Sequence, residues 1–219
     1  MLPLLLACIK PAPTPDTPTP ASPAEAIAVV EAVLAGDPDE PLKISAMWNL
    51  AELHIENGRR IFLDEMEAYG EAYDACALSM RPIGECDDLR PDETRSLAAL
   101  EEGLAIFAAL LDTYPEHRRA DEARYLLALY SVDVGRPQAA LGHHRQLLAD
   151  HPDSPWAAEA WLFLAEDAFE QGRLEEAARG YEEVRQHGAP DRVLFATYKL
   201  SWCYYLSLIH ISEPTRRPI

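Results

Sequence analysis

The chain has 219 residues, of which 48% are hydrophobic, so it is long enough to bury a sizeable core. Acidic residues outnumber Lys and Arg by 37 to 19, and the formal net charge of −18 would repel phosphate backbones and anionic lipid headgroups. This charge argues against nucleic acid as a partner, and no apolar run approaches the ~20 residues of a membrane-spanning helix.

The N-terminal residues resemble a bacterial export signal. Leu2 to Ala7 is apolar, and Leu5-Leu6-Ala7-Cys8 resembles the lipobox that precedes a lipid-modified cysteine. The apolar segment is short for a signal and has no preceding Lys or Arg, so an ordinary disordered tail is the alternative. Pro11 to Pro23 alternates Pro with Thr, Ser and Ala, which favours an extended tether. We therefore expect lipidation at Cys8 and a tether within residues 1–22, with membrane contact only through the lipid.

Helical patterns begin at residue 23. Ser22-Pro23-Ala24-Glu25 has the residue types of a capping box, which predicts a short helix to about Ala35. A second pattern starts at Leu42 and has strong helix formers on both sides of Gly58. It predicts one long helix to about Ala77, not a tight hairpin. Residues 76–91 contain Pro, Gly and paired Asp among few periodic apolar positions, which predicts an insertion loop.

Cys76 and Cys86 flank this insertion loop. In an oxidising compartment the two cysteines would form a disulfide that stabilises the short loop by ~2 to 4 kcal/mol. In a reducing compartment they would be two free buried thiols. The sequence leaves both alternatives open.

The second half of the chain contains a repeat. Asp121 to Ala157 aligns with Ala158 to Val193, and a third copy starts at Leu194. The periodicity predicts helices near 92–114, 120–134, 137–149, 155–171, 174–187 and from about 191. The aligned positions are Leu127 with Leu164 and Leu200, Ala128 with Ala165 and Ser201, Gly135 with Gly172, and Ala140 with Ala177.

These positions resemble the tetratricopeptide repeat (TPR), a helix-turn-helix unit of ~34 residues with small residues where its two helices cross. The resemblance implies an all-α fold, a right-handed α-solenoid of TPR-like helical hairpins spanning residues 23–205. Small side chains such as Ala128 and Ala140 would let paired helices approach closely, while large ones fill the seams between repeats.

The C-terminal residues resemble translated adapter DNA and not a natural protein segment. Leu206 to Arg216 matches the in-frame translation of a transposase adapter used in sequencing libraries. We therefore expect residues 206–219 to be a non-native tail, and the natural sequence to stop near Tyr205 within a helix. Leu200 and Tyr204 would then lack the helix that they should meet.

The TPR resemblance also implies a binding groove, because TPR proteins bind partners along the concave face lined by the first helix of each repeat. Family members that grip a carboxylate terminus use Lys and Asn in this groove, and this sequence has neither at the matching positions. We therefore expect a protein partner that presents an apolar or basic segment. Packing of these residues against the next repeat is the alternative. The matching residues are Tyr125, Leu129, Val132, Leu162, Glu166, Phe169, Tyr198 and Trp202, followed by Tyr205.

No pattern indicates an enzyme. The sequence has no HExxH, no Gly-rich phosphate loop and no CxxC, so we expect no catalytic site, no cofactor and no metal site. His143 and His144 are adjacent, and adjacent helical residues point about 100° apart, which is poor geometry for one metal ion. His144 occupies a slot that is usually aromatic in the repeat, which favours a packing role.

A looser resemblance concerns cellular role. Trp48 to Tyr73 and Tyr198 to Cys203 resemble segments of large envelope TPR proteins associated with bacterial gliding motility. The first hypothesis is a non-enzymatic, lipid-anchored periplasmic scaffold, with the outer membrane favoured. The alternative is the recognition region of a longer enzyme or signalling protein whose active domain follows residue 205. A cytoplasmic location is the alternative to the periplasm.

Overall fold

A computed structural model describes residues 22–79, 86 and 88–212. The described residues form eight α-helices without a β-strand, so the predicted all-α class is confirmed. No helix in this part of the chain is both long and apolar enough to cross a membrane. Cys8, the predicted tether up to residue 21, and the tail from residue 213 lie outside the described residues.

The helices follow one another with short connections, except for the segment between α2 and α3. Their bounds are α1 Pro23–Ala35, α2 Glu40–Leu78, α3 Thr94–Thr113, α4 Ala120–Asp133, α5 Pro137–Asp150, α6 Ala157–Glu170, α7 Leu174–His187 and α8 Pro190–Ser212.

Local capping chemistry explains where the first two helices begin. The Ser22 hydroxyl accepts a hydrogen bond from the Glu25 N–H at 3.3 Å, and the Asp39 carboxylate accepts one from the Leu42 N–H at 3.4 Å. Each helix also has a proline in its first turn, where no backbone donor is lost. The prediction of one long helix through Gly58 is confirmed, because α2 continues without interruption to Leu78.

The main contacts join helices that are neighbours in the sequence, and the most extensive of them joins α2 to α3. Two glycines allow this close approach. A Cβ atom on Gly58 would lie 3.0 Å from the Ser96 carbonyl oxygen, and one on Gly103 would lie 2.9 Å from the Ala51 carbonyl oxygen. Since neither distance leaves room for a methyl group, glycine sets the separation of these helices.

Two clusters of buried side chains form the core. The first surrounds Phe107, which is fully buried and meets the Trp48 ring edge to face with centroids 4.9 Å apart. The second surrounds Tyr181 and joins α6, α7 and α8. Tyr181 is also fully buried, and each such side chain contributes about 1.5 to 3 kcal/mol of burial.

The two aligned stretches are built alike. Ala128 and Ala140 are 0% exposed, and their counterparts Ala165 and Ala177 are 1% and 0% exposed. Gly135 and Gly172 end the first helix of each pair with φ of 71° and 72°, a conformation that favours glycine. The small residues and the turn glycines therefore occupy equivalent places in α4–α5 and α6–α7.

One expectation for the last helix, α8, is not met. Leu200 was expected to lack a partner helix, but it is only 7% exposed and belongs to the cluster around Tyr181. That prediction was wrong because Leu200 lies on the face of α8 that meets α6 and α7. Tyr204 lies on the other face and is 59% exposed.

Two contacts secure the junction between α2 and α3. The structure joins the Cys76 and Cys86 sulfur atoms at 2.06 Å, although residues 80–85 and 87 of this loop are outside the described part. Further back on α2, one oxygen of the buried Glu65 carboxylate accepts hydrogen bonds from the N–H groups of Arg95 at 3.2 Å and Ser96 at 3.4 Å. Glu65 thus satisfies backbone donors at the start of α3, which has no cap from its own N-cap residue.

Candidate functional site

The predicted groove residues meet at a cavity between α4 and α6. Five of the nine residues predicted for the groove line this one cavity, whose volume is about 320 Å³. They come from two helices that are separated by α5 in the sequence. The five are Tyr125, Leu129, Val132, Leu162 and Glu166.

The helical repeat explains why these side chains share a face. Tyr125, Leu129 and Val132 follow the i, i+4, i+7 spacing of one side of α4, and Leu162 and Glu166 are four residues apart on α6. Leu129 is 42% exposed and Val132 is 41% exposed. The cavity therefore presents apolar side chains that the fold leaves open to solvent.

Aromatic rings form the wall behind the cavity. The Tyr125 ring stacks on Trp156 with centroids 4.4 Å apart and planes at 10°, and burial raises the pKa of the Tyr125 hydroxyl. The buried His144 imidazole lies 4.6 Å from the Phe163 ring. Tyr125 thus lines the cavity and also packs against Trp156, the residue that precedes α6. It therefore fits both alternatives from the sequence, a groove position and packing against the next repeat.

His144 is the one strongly perturbed base at this site. Burial, with a smaller contribution from the neighbouring His143, lowers its pKa from 6.5 to about 4, so the ring is neutral near pH 7. Its Nδ1 atom is buried without a hydrogen-bond partner. No group of three His, Cys, Asp or Glu side chains in the described residues is placed to hold a metal ion. The location of His144 fits the packing role that the repeat alignment predicts.

We expect acid to destabilise the protein through His144. The unfolded chain binds a proton near pH 6.5 and the folded chain only near pH 4, so stability falls as the pH drops through this window. The full loss in free energy of unfolding is ~3 kcal/mol, because a difference of one between the folded and unfolded pKa corresponds to about 1.36 kcal/mol. His144→Leu should remove this component, measured as the difference in free energy of unfolding between pH 7 and pH 4. Equal pH dependence in the variant and the parent would contradict the assignment.

Three carboxylates surround the cavity, and two of them are already paired with cations from α8. Glu166 accepts a hydrogen bond from the Tyr181 hydroxyl and lies 3.0 Å from the Lys199 ammonium. Glu159 accepts a hydrogen bond from Arg192 at 2.9 Å. Asp133 ends α4 at the cavity wall, and its carboxylate has no hydrogen bond or ion pair with another described residue. Of the three carboxylates around the cavity, that of Asp133 is therefore the one not paired with a described cation.

Comparison with protein-family models, with curated proteins and with solved structures gave no match for this chain. The interpretation of the cavity therefore depends on its own residues. These residues place apolar side chains around an opening, aromatic rings behind them and carboxylates at the side.

Four predicted groove residues do not line the cavity. The Phe169 ring lies beneath the Lys199 ammonium at 4.1 Å, in contact with the edge of Tyr181. The other three, Tyr198, Trp202 and Tyr205, lie along α8 and are 59%, 40% and 57% exposed. The Trp202 ring centroid is 6.3 Å from that of Tyr198 and 5.7 Å from that of Tyr205. The structure therefore separates the predicted groove into a cavity and an exposed aromatic row on α8.

Some cavity residues were not predicted. Asp133 lies four residues after Leu129, and Glu159 precedes Leu162 by three residues, so helical spacing could have added both. His144 enters from a position that the repeat pattern assigns to packing, and Phe163 is adjacent to Leu162 on α6. No local signal in the sequence indicates that they reach the cavity.

A larger cavity lies beside the first, between α2, α3 and α4. Its volume is about 540 Å³, and sequence reasoning missed it entirely. Asp133 lines both cavities, so they share a wall at the end of α4. The other residues around the larger cavity are Gly58, Arg59, Phe62, Leu63, Glu93, Ser96, Leu97, Leu100 and Tyr130.

Proposed function

We propose that this protein is a non-enzymatic scaffold that binds a segment of another protein in the groove between α4 and α6. The observation that carries the proposal is the cavity itself. Residues selected by their repeat positions as a binding face line one opening of about 320 Å³. Apolar side chains at this opening remain exposed, which is typical of surfaces that bind a partner.

The groove belongs, in this proposal, to a right-handed α-solenoid of TPR-like hairpins. Neighbouring helices make the main contacts along the chain, which is the contact pattern of a stacked array. The equivalent buried alanines and the equivalent turn glycines of α4–α5 and α6–α7 support a true repeat. Each hairpin would bury its apolar face on the next.

The bound segment is apolar or basic. Leu129, Val132 and Leu162 favour an apolar side chain, and the unpaired Asp133 favours a Lys or Arg nearby. The net charge of −18 would attract a basic partner and repel an acidic one over longer distances.

For the location we propose a periplasmic lipoprotein anchored through Cys8. The Cys76–Cys86 bond supports an oxidising compartment, since disulfides are rare in the cytosol. The resemblance of Leu5 to Cys8 to a lipobox, followed by a Pro-rich stretch, agrees with export and tethering. The resemblance to gliding-motility-associated TPR proteins belongs to the same proposal.

The groove is tested by selecting binders from a phage library of random short peptides on the immobilised full chain. We expect enrichment of peptides that combine apolar residues with Lys or Arg. Leu129→Lys together with Val132→Lys should weaken the selected peptides by about tenfold or more, because two cations replace apolar contacts at the opening.

The matched control is Val29→Lys together with Leu194→Lys. These two side chains are 63% and 74% exposed and line neither cavity, so peptide affinity should not change. Enrichment of acidic peptides, or equal affinity for the groove variant and the control, would refute binding in this groove.

A further inference from the structure

We propose that the cavity between α2, α3 and α4 receives a large apolar side chain of the same bound segment, adjacent to a Lys or Arg held at Asp133. The inference rests on the proposed function, since it assigns a second anchoring point to that segment. It specifies a ligand with two neighbouring anchors, one bulky and apolar and one cationic.

The walls of this cavity are suited to a large apolar group. Phe62 and Leu63 of α2 are 40% and 67% exposed, although they lie beside a cavity of about 540 Å³. Leu97 and Leu100 of α3 form the facing wall. This volume falls within the roughly 300 to 1,000 Å³ of ligand pockets, and burying an aromatic ring there would also cover Phe62 and Leu63.

One side of the cavity is held by a contact between distant helices. The Arg59 guanidinium donates a hydrogen bond to the Tyr130 hydroxyl at 2.5 Å, and its central carbon lies 5.4 Å from the Tyr130 ring centroid. Tyr130 is only 8% exposed. A neutral hydroxyl does not compensate the Arg59 charge, but the two acidic residues that line the same cavity, Glu93 and Asp133, outnumber this one cation.

Asp133 connects this cavity to the groove. Asp133 lines both openings, and its carboxylate has no hydrogen bond or ion pair with another described residue. A segment that crosses from one cavity to the other therefore passes Asp133. Glu93, at the start of α3, adds a second carboxylate to the larger cavity. Two carboxylates beside an apolar wall favour a cation next to the apolar anchor and disfavour an acidic one.

An apolar cavity beside a shared, unpaired carboxylate favours a protein segment as the occupant. Adjacent cavities that share one residue are within reach of two side chains a few positions apart on an extended chain. Linking the two anchors makes the second contact intramolecular, so a segment with both should bind much more tightly than a segment with either.

The test measures fluorescence anisotropy of labelled synthetic peptides with the full chain. The peptides share a Gly/Ser frame and carry Trp alone, Arg alone, Trp and Arg at increasing separations, or Trp and Asp. We expect the best Trp–Arg peptide to bind about tenfold or more tighter than either single-anchor peptide. The Trp–Asp peptide should bind no better than Trp alone.

The variants assign each anchor to its cavity. Phe62→Ser with Leu63→Ser should reduce the Trp–Arg peptide to the affinity of the Arg peptide, which itself should not change. The matched control on the same helix is Leu42→Ser with Tyr73→Ser, whose side chains are 50% and 39% exposed outside the cavity. Asp133→Asn should weaken the Arg-containing peptides by about threefold to tenfold, while Asp64→Asn, on the exposed side of α2, should have no effect. Circular dichroism of each variant checks the fold.

Two results would overturn the inference. One is a Trp–Arg peptide that gains nothing over the Arg peptide. The other is an equal loss in the Phe62/Leu63 variant and its control. If the phage-selected peptides still lose affinity in the Leu129/Val132 variant in either case, the second anchor is wrong and the proposed groove stands. If binding is also indifferent to Leu129 and Val132, the proposed function fails as well.

Discussion

Replacing Phe107 with Ala is expected to lower the free energy of unfolding by about 3 to 5 kcal/mol. Phe107 is 0% exposed and lies in the cluster that joins α2, α3 and α4. Its loss would remove the ring contact with Trp48 and leave a void that the surrounding helices cannot fill by a small movement. Urea denaturation followed by circular dichroism measures the change.

Phe62→Ala is the matched control for this prediction. Phe62 has the same side chain on a helix of the same core, but it is 40% exposed. Its removal should cost roughly 1 to 2 kcal/mol, less than the loss at Phe107, because a smaller part of the ring is buried. A similar loss of stability for the two variants would show that Phe107 is not the centre of the core.

Gly103→Ala is expected to destabilise the protein by about 1 to 3 kcal/mol, although Ala is the better helix former. The new Cβ atom would lie 2.9 Å from the Ala51 carbonyl oxygen and 3.0 Å from the Ile55 side chain. Since the nearest atom is backbone, relief requires α2 and α3 to move apart. Thermal unfolding of the variant should show a lower midpoint.

The same substitution at Gly142 should change the stability of the protein in the opposite direction. Gly142 is an exposed helical residue of α5, and a Cβ atom there would meet no atom within 4 Å. Gly142→Ala should therefore stabilise the protein by up to about 1 kcal/mol. Stabilisation by Ala at both positions would mean that Gly103 does not set the distance between α2 and α3.

Much of the helical framework could be predicted because helix ends depend on local chemistry. Ser22 and Asp39 accept hydrogen bonds from residues three positions ahead, and Gly135 and Gly172 end helices with positive φ. Each of these signals is contained within a few neighbouring residues. The same locality made helical spacing sufficient to select Tyr125, Leu129 and Val132 as one face.

The features that could not be predicted depend on contacts between distant parts of the chain. The larger cavity requires α2, α3 and α4 to meet, and its Arg59–Tyr130 contact joins residues far apart in sequence. Lys199 covers Phe169 across two helices, which repeat spacing alone does not indicate. The burial of Leu200 likewise depends on how α8 is rotated against α6 and α7.

The length of α2 has a practical consequence for biophysical work on this protein. The helix contacts the start of α3 through Glu65 and then continues to Leu78. At 1.5 Å per residue, the stretch from Met66 to Leu78 adds roughly 20 Å of rigid rod. Leu78 is 83% exposed at its tip. A dye or surface linker attached there would stand clear of both openings and report on them without blocking access.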